Sequence, residues 1–316
     1  FLSQYHPLSS IYDWLDILSE EYPHLISQEW VGQSYEGRDI KAYYISASHY
    51  TNQNPKNKTI IVTGGIHARE WISTTTALYV MTELVSRYGE SKKVSEYLNK
   101  LNFLIIPVMN PDGYEYSWTT ERLWRKNRQE TFLPRCFGID IDHSFDYHWT
   151  QTSDNDYPCD EDYAGDDPFE AIEAEQYNDY LNYTKSHFNI HGYIDLHSYA
   201  QEILYPYAFS CKEMPDDEEN LIELGYGLAK AIRGKTGKHY GVFPACKDRN
   251  SNLMPGLGSG SSLDYMYNKR AYWAFQIKLR DSGSHGFLLP SKFIIPVGQE
   301  IFRSVKYFSD FILNPE

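Results

Sequence analysis

The chain has 316 residues, 41% of them hydrophobic and 16% aromatic, with 28 tyrosines and a formal net charge of −14. That length supplies one large α/β domain or two small ones, with ample material for a core. The acidic balance argues against nucleic acid and anionic membrane surfaces as partners, and no run of about 18 or more apolar residues offers a membrane span.

The opening Phe1-Leu2-Ser3-Gln4-Tyr5 is not a signal peptide and reads as the start of a processed domain. Ser10 with Asp13 has the shape of a capping box and predicts a helix through about Glu21, with Ile11, Trp14, Leu15 and Leu18 on one face. Gln28 to Ser34 and Asp39 to Ser48 read as strands joined by a turn at Tyr35-Glu36-Gly37-Arg38, and a polar loop over 52–58 follows. The apolar run Thr59-Ile60-Ile61-Val62 predicts a buried strand, and a helix from Trp71 to about Tyr88 stops at Gly89. After a second helix comes the strand Phe103 to Val108, then a turn at Pro111-Asp112-Gly113. Thr119 to Asp166 is irregular, polar and aromatic, and so long a stretch inside a compact domain is usually functional. A helix over about Phe169 to Ser186 precedes the strand Gly192 to Leu196, which ends in His197. A helix over Leu221 to Gly237, a loop over Asp248 to Gly260 and a strand from Tyr272 to Leu279 follow. The closing helix, Val297 to Leu313, has Val297, Ile301, Val305, Phe308 and Ile312 at helical spacing behind Pro296. Apolar strands alternating with helices predict a single α/β domain over 1–316, with a mixed, mainly parallel twisted sheet covered by helices on both faces.

Ligands in such sheets collect beyond the carboxyl ends of the strands. There the chain carries Gly64-Gly65-Ile66-His67-Ala68-Arg69-Glu70. His67 and Glu70 stand three residues apart at a helix start, so they can meet one ion from the same side. A catalytic zinc takes three such nitrogen or oxygen ligands and keeps a fourth position open. His197, also at a strand end, is the natural third ligand, and one Zn2+ is the expected cofactor. Four cysteines and two Asn-x-Ser/Thr acceptor sites, at Asn57 and Asn182, favour a secretory-route protein with two disulfides.

These residues resemble the zinc metallocarboxypeptidases of the pancreatic A/B type. The likeness is carried in order by His67-x-x-Glu70-Trp71, Asn110-Pro111-Asp112-Gly113-Tyr114, Arg122-Leu123-Trp124-Arg125-Lys126, His197-Ser198-Tyr199, Leu279-Arg280-Asp281 and Gly286-Phe287-Leu288-Leu289-Pro290. The resemblance implies zinc held by His67, Glu70 and His197, a disulfide between Cys136 and Cys159, and a second between Cys211 and Cys246. It also implies a pro-region in the precursor that is absent from this chain. Arg69 and Arg125 match arginines that bind the substrate's carboxylate and polarise its scissile carbonyl, Arg125 in the second role. Without the rest of the carboxylate clamp they read equally as structural ion pairs. Tyr199 belongs with the retained substrate-binding residues. Leu263 matches the base of the specificity pocket and would favour an apolar C-terminal side chain.

The pattern breaks at three places. Asp142 and His143 stand where the family has Asn and a carboxylate-clamping Arg, and an imidazole cannot replace a bidentate guanidinium. Lys278 stands where the family has the glutamate that takes a proton from water and delivers it to the leaving amine. Gly256 stands at the place of a tyrosine on the family's mobile loop. Lys278 and Asp142 look like a charge swap and are expected to pair across the site. The resemblance extends to a fungal, inactive branch of the family linked to cell-wall organisation, secreted or vacuolar. It implies a zinc-binding pseudo-carboxypeptidase acting on a peptide, protein or cell-wall ligand by binding. The alternative is an active metallohydrolase of altered specificity, with a base relocated to Asp142, His143 or His285.

Overall fold

A computed structural model of the chain describes residues 1–47, 57–150, 156–248 and 256–314. Among the described residues, eight strands form one sheet: β1 (Ile26–Gln33), β2 (Asp39–Ile45), β3 (Lys58–Gly64), β4 (Leu101–Ile106), β5 (Asn189–Ser198), β6 (Glu202–Tyr205), β7 (Gly241–Pro244) and β8 (Trp273–Leu279). Their spatial order is β1-β2-β4-β3-β5-β8-β6-β7. The four central strands, β4-β3-β5-β8, are parallel, and antiparallel pairs join β1 to β2, β2 to β4 and β6 to β8. The expected single α/β domain with a mixed, mainly parallel sheet is therefore what forms.

The continuous apolar runs follow from burial on both faces. In β3, Ile60 and Val62 join one core and Ile61 the other, and in β4 Phe103 and Ile105 are likewise separated from Leu104 and Ile106. The first core is covered by α1 (Leu8–Glu21), α2 (Trp71–Ser86), α3 (Lys92–Lys100), α6 (Glu218–Thr236) and α8 (Ile294–Leu313). The second lies under α5 (Ile172–Tyr183), α7 (Ser262–Lys269) and the irregular stretch around Ile139 to Phe145.

Four expectations change. Ser10 does not cap the first helix, which starts two residues earlier, behind Pro7, with no side-chain cap. Pro111-Asp112-Gly113 does not turn the chain but opens α4 (Pro111–Thr119). Asn110 caps it, accepting from Gly113 N, and proline suits the first helical position because the N–H it lacks there has no helical partner. The strands β6 and β7 have four residues each, too few to show a period, and β6 is recruited by pairing with β8. α7 starts at a Ser261 cap that accepts from Asp264 N, just after the predicted loop over Asp248 to Gly260. Most of that loop, 249–255, lies outside the described residues, as do 52–56 of the polar loop before β3 and position 48 at the end of the predicted second strand.

Candidate metal centre

The centre forms where β3, β5 and the irregular stretch meet. β3 ends at Gly64, and Gly65 turns the chain with φ of 65°, a conformation that side chains disfavour. A Cβ on Gly65 would also stand 2.7 Å from Thr74 Oγ1, so the turn needs glycine. Gly65 N donates to Ser73 Oγ, Ser73 Oγ donates to the Glu70 carbonyl, and Asn110 Nδ2 donates to the Ile66 carbonyl. These bonds hold His67 and Glu70 at the entry to α2. His197 is the ninth residue of β5, directly beside Lys278 in the β5–β8 ladder.

All three expected ligands converge. His67 Nδ1 lies 3.1 Å from Glu70 Oε1, His197 Nδ1 lies 3.1 Å from Glu70 Oε2, and the two Nδ1 atoms are 3.1 Å apart. Donors bonded at 2.0–2.1 Å to one tetrahedral ion stand about 3.3 Å from each other, so this triangle fits zinc. The outer contacts agree. His67 Nε2 faces Asp140 Oδ1 at 3.1 Å, and His197 Nε2 faces Asp195 Oδ2 at 3.0 Å. A carboxylate at each Nε2 makes that nitrogen the donor and leaves Nδ1 with a lone pair. Three lone-pair donors facing one another call for a cation. Ser198 N donates to Glu70 Oε2 at 3.0 Å and steadies that carboxylate.

The charges of the buried groups are set by one another. Burial would raise the Glu70 carboxyl, but His197 and His67 beside it hold it well below the usual carboxylate range. Burial would lower the His197 imidazolium, but Asp195 and Glu70 hold it well above the usual histidine value, so a proton and a metal ion compete for the Nδ1 lone pair. Asp140, against the pull of burial, is held low by Arg125, His67 and His143.

Asp142 offers a second donor set, since its carboxylate lies within 4.8 Å of ligand atoms on both histidines. The approach is to His197 Nε2, at 3.7 Å, the nitrogen that already faces Asp195. Glu70 faces Nδ1 of both rings, whereas Asp142 comes closest to the outer nitrogen of His197 alone. Asp142 is instead an anchor: it accepts from Ser262 N at 2.9 Å and from Gln276 Nε2 at 3.2 Å, fixing the start of α7 against β8.

The expected pairing of Lys278 with Asp142 does not form. Lys278 Nζ donates to Asp248 Oδ1 at 2.5 Å, and Asp248 Oδ2 accepts from Leu257 N. His143 Nε2 donates to the Gly256 carbonyl at 3.2 Å and lies 3.7 Å from Asp140 Oδ2. Both replacement side chains thus tie down the described ends of one loop: Lys278 through Asp248, His143 through Gly256. The residues weighed as relocated bases are committed elsewhere: Asp142 and His143 to these contacts, His285 to Asp281 at 2.7 Å.

The arginines are likewise engaged within the protein. Arg125 donates from Nε and Nη2 to Asp140 Oδ2, at 3.0 and 2.7 Å. Arg69 forms a two-point pair with Glu161, at 2.7 and 2.9 Å, and lies over the Phe287 ring. Tyr199 packs on the same ring, with centroids 5.0 Å apart. Leu263 is fully buried in the second core. Cys136 pairs with Cys159 and Cys211 with Cys246.

Four carboxylates that matter here were not singled out from the sequence as site residues: Asp140, Asp195, Asp248 and Glu161. Asp195 had a local signal, since a residue two before His197 in a strand shares its face. The other three meet their partners only through the fold.

A zinc carboxypeptidase family profile matches residues 11–304. The chain is 55% identical over its full length to "Inactive metallocarboxypeptidase ECM14" of Saccharomyces cerevisiae, covering 73% of that protein. It is 42% identical to the protein of the same name from Sclerotinia sclerotiorum, over 99% of this chain and 55% of the relative. The chain thus spans little more than half the length of several curated relatives. Among solved structures, it resembles bovine thrombin-activatable fibrinolysis inhibitor in complex with tick carboxypeptidase inhibitor, with a TM-score of 0.87 at 30% identity over 99% of this chain and 98% of that one. It also resembles the carboxypeptidase A of Helicoverpa armigera, with a TM-score of 0.85 at 26% identity over 97% and 73% of the two chains.

Proposed function

The chain belongs to the zinc carboxypeptidase family as an inactive, carboxypeptidase-like member, and from that premise we propose that it keeps the family's metal and works by binding. His67 Nδ1, His197 Nδ1 and a Glu70 oxygen would hold one Zn2+, which when bound supplies a Lewis acid that polarises an oxygen of a ligand. Hydrolysis further needs a group that accepts a proton from water and returns it to the leaving amine. Beside His197 stands Lys278, which forms an ion pair with Asp248, and the ammonium of such a pair has donors only and cannot accept a proton from water. This contact is the observation that carries the reading.

The ligand side supports the same conclusion. Arg125 and Arg69 are neutralised by Asp140 and Glu161, and His143 faces a carbonyl. A peptide's terminal carboxylate therefore meets no free guanidinium among these residues, so the ligand in this reading is a peptide, protein or cell-wall component held without a terminal-carboxylate clamp. The setting is the secretory route, secreted or vacuolar, with a role in cell-wall organisation and a pro-region in the precursor. Two cystines suit an oxidising compartment, and the relatives named above are fungal.

The test is zinc content by elemental analysis beside hydrolysis of a peptide panel with varied C-terminal residues. One zinc per chain and no chelator-sensitive cleavage is the expected result. Chelator-sensitive cleavage would overturn the binding role, and a metal-free protein from zinc-replete cells would overturn the zinc assignment.

A further inference from the structure

An open cleft of about 640 Å³ lies far from the metal centre. Asn189 and Ile190, at the start of β5, and Ala271 and Tyr272, just before β8, form its floor. With a rise of about 3.3 Å per residue along β5, it is roughly 25 Å from His197, at the opposite end of the parallel strands. Nothing in the carboxypeptidase chemistry uses that end.

The walls combine two surface types. Phe188, Tyr207 and Tyr272 supply aromatic faces, and Lys185, Asp216 and Arg270 supply charged donors and acceptors. Tyr272 is 64% exposed and its ring lies against His191. Aromatic planes interleaved with groups that both donate and accept suit a saccharide, which presents apolar C–H faces rimmed by hydroxyls. A mixture of Asp216 with Lys185 and Arg270 does not select a simple anion or cation.

The same cleft adjoins the acceptor site Asn182-Tyr183-Thr184. Leu181 and Lys185, on either side of Asn182, both line it, and Arg270 Nη2 donates to Asn182 Oδ1 at 2.7 Å. Because a guanidinium only donates, this contact assigns the amide oxygen to Arg270, and Nδ2 stays close by, since Arg270 Nη2 also reaches its partner Asn178 Oδ1 at 3.0 Å. Nδ2 bonds Asn178 Oδ1 at 3.3 Å, and a substituted Nδ2 keeps one N–H for that contact. Asn182 is exposed, whereas Asn57, at the other acceptor site, is half-buried at the start of β3.

We propose that Asn182 carries an N-linked glycan and that its first sugars dock in this cleft, making the glycan part of the folded surface. The proposal rests on the secretory-route reading above. In the modification, a bond forms between Asn182 Nδ2 and the anomeric carbon of an oligosaccharide transferred from a lipid pyrophosphate. The amide loses one proton, and the lipid pyrophosphate leaves.

The test uses the whole protein purified from the cells that make it. Peptide mapping reads occupancy, and amide hydrogen exchange over 267–273 is compared between the intact glycoform and one trimmed to a single N-acetylglucosamine. The expected result is an occupied Asn182 and exchange at least about fivefold faster after trimming. Tyr272→Ser, at an exposed position, should keep the occupancy and lose the difference. Equal exchange in both glycoforms would overturn the docking. So would protection of the trimmed protein by added soluble glucan oligosaccharide with no difference between glycoforms, which would make the cleft a site for foreign sugar. A bare Asn182 beside oxidised cysteines would overturn the glycan alone. Bare sites with all four cysteines reduced would instead overturn the secretory reading and the proposal with it.

Discussion

At the residue scale, the two replacements expected to end catalysis, Lys278 and His143, make structural contacts. Lys278 and Asp248 are each 11% exposed at the side chain, so their pair is largely screened from water. Removing one partner of such a pair leaves a buried charge and typically costs roughly 3–5 kcal/mol. Lys278→Glu therefore sets a new carboxylate against Asp248 in place of restoring a base. We expect denaturant unfolding to show a loss of about 3 kcal/mol or more, most of it recovered by adding Asp248→Asn. Peptidase activity should stay absent from the single variant, because His143 and Asp142 still stand in place of the clamp. A single variant that is both fully stable and active would mean that Lys278 was the sole obstacle and its pair with Asp248 idle.

At the element scale, α5 is tied to the β1–β2 turn and the irregular stretch through Glu173, in its first turn. The carboxylate accepts from Asn127 Nδ2 at 2.6 Å and from Tyr35 N at 3.4 Å. Burial outweighs these bonds and pushes the carboxyl up to about 7 from its ordinary 4.5. Between those values the folded state holds a proton that the unfolded state has released. Stability from this group is thus fully present below about pH 4.5, falls as pH rises through the window, and is lost above about 7. The difference is about 3 kcal/mol. Asp264, also raised to about 7 by burial, titrates with the same sign. Melting curves from pH 4.5 to 8 should therefore show a decline that is shallower in Glu173→Gln. Identical slopes would show that Glu173 ionises in the fold without cost.

At the scale of the whole molecule, the metal centre joins the β3–α2 turn to β5, and through Asp140 and Arg125 to the irregular stretch. Cys136–Cys159 closes part of that stretch, and Cys211–Cys246 reaches within two residues of Asp248. An ion bound only by the folded chain adds about 2.7 kcal/mol at a hundred times its dissociation constant. Stripping zinc with a chelator should lower Tm, and readdition should restore it, with no change in the far-ultraviolet spectrum at low temperature because the sheet has two cores of its own. An unchanged Tm would mean that metal binding contributes nothing to stability at that concentration.

The sequence by itself determined the parts whose causes are local. An apolar run, two glycines and His67-x-x-Glu70 place a strand, a turn and two candidate ligands within a dozen residues, and His197 lies near the end of an apolar strand. The departure at Lys278 is equally legible, because that residue sits at a fixed distance from Arg280-Asp281. The partners of these residues were not legible. Asp142 and Asp248 are both carboxylates, and nothing in residue type ranks them as partners for Lys278. Geometry does: Asp142 is taken by Ser262 N and Gln276 Nε2, while Asp248 is delivered to Lys278 across 30 residues of chain. The same holds for β6 and β7, whose four-residue strands exist because β8 offers β6 an edge, and for Asp140, which serves His67 and Arg125 at once. Local pattern selects elements and donor types; only packing in three dimensions selects which donor meets which acceptor.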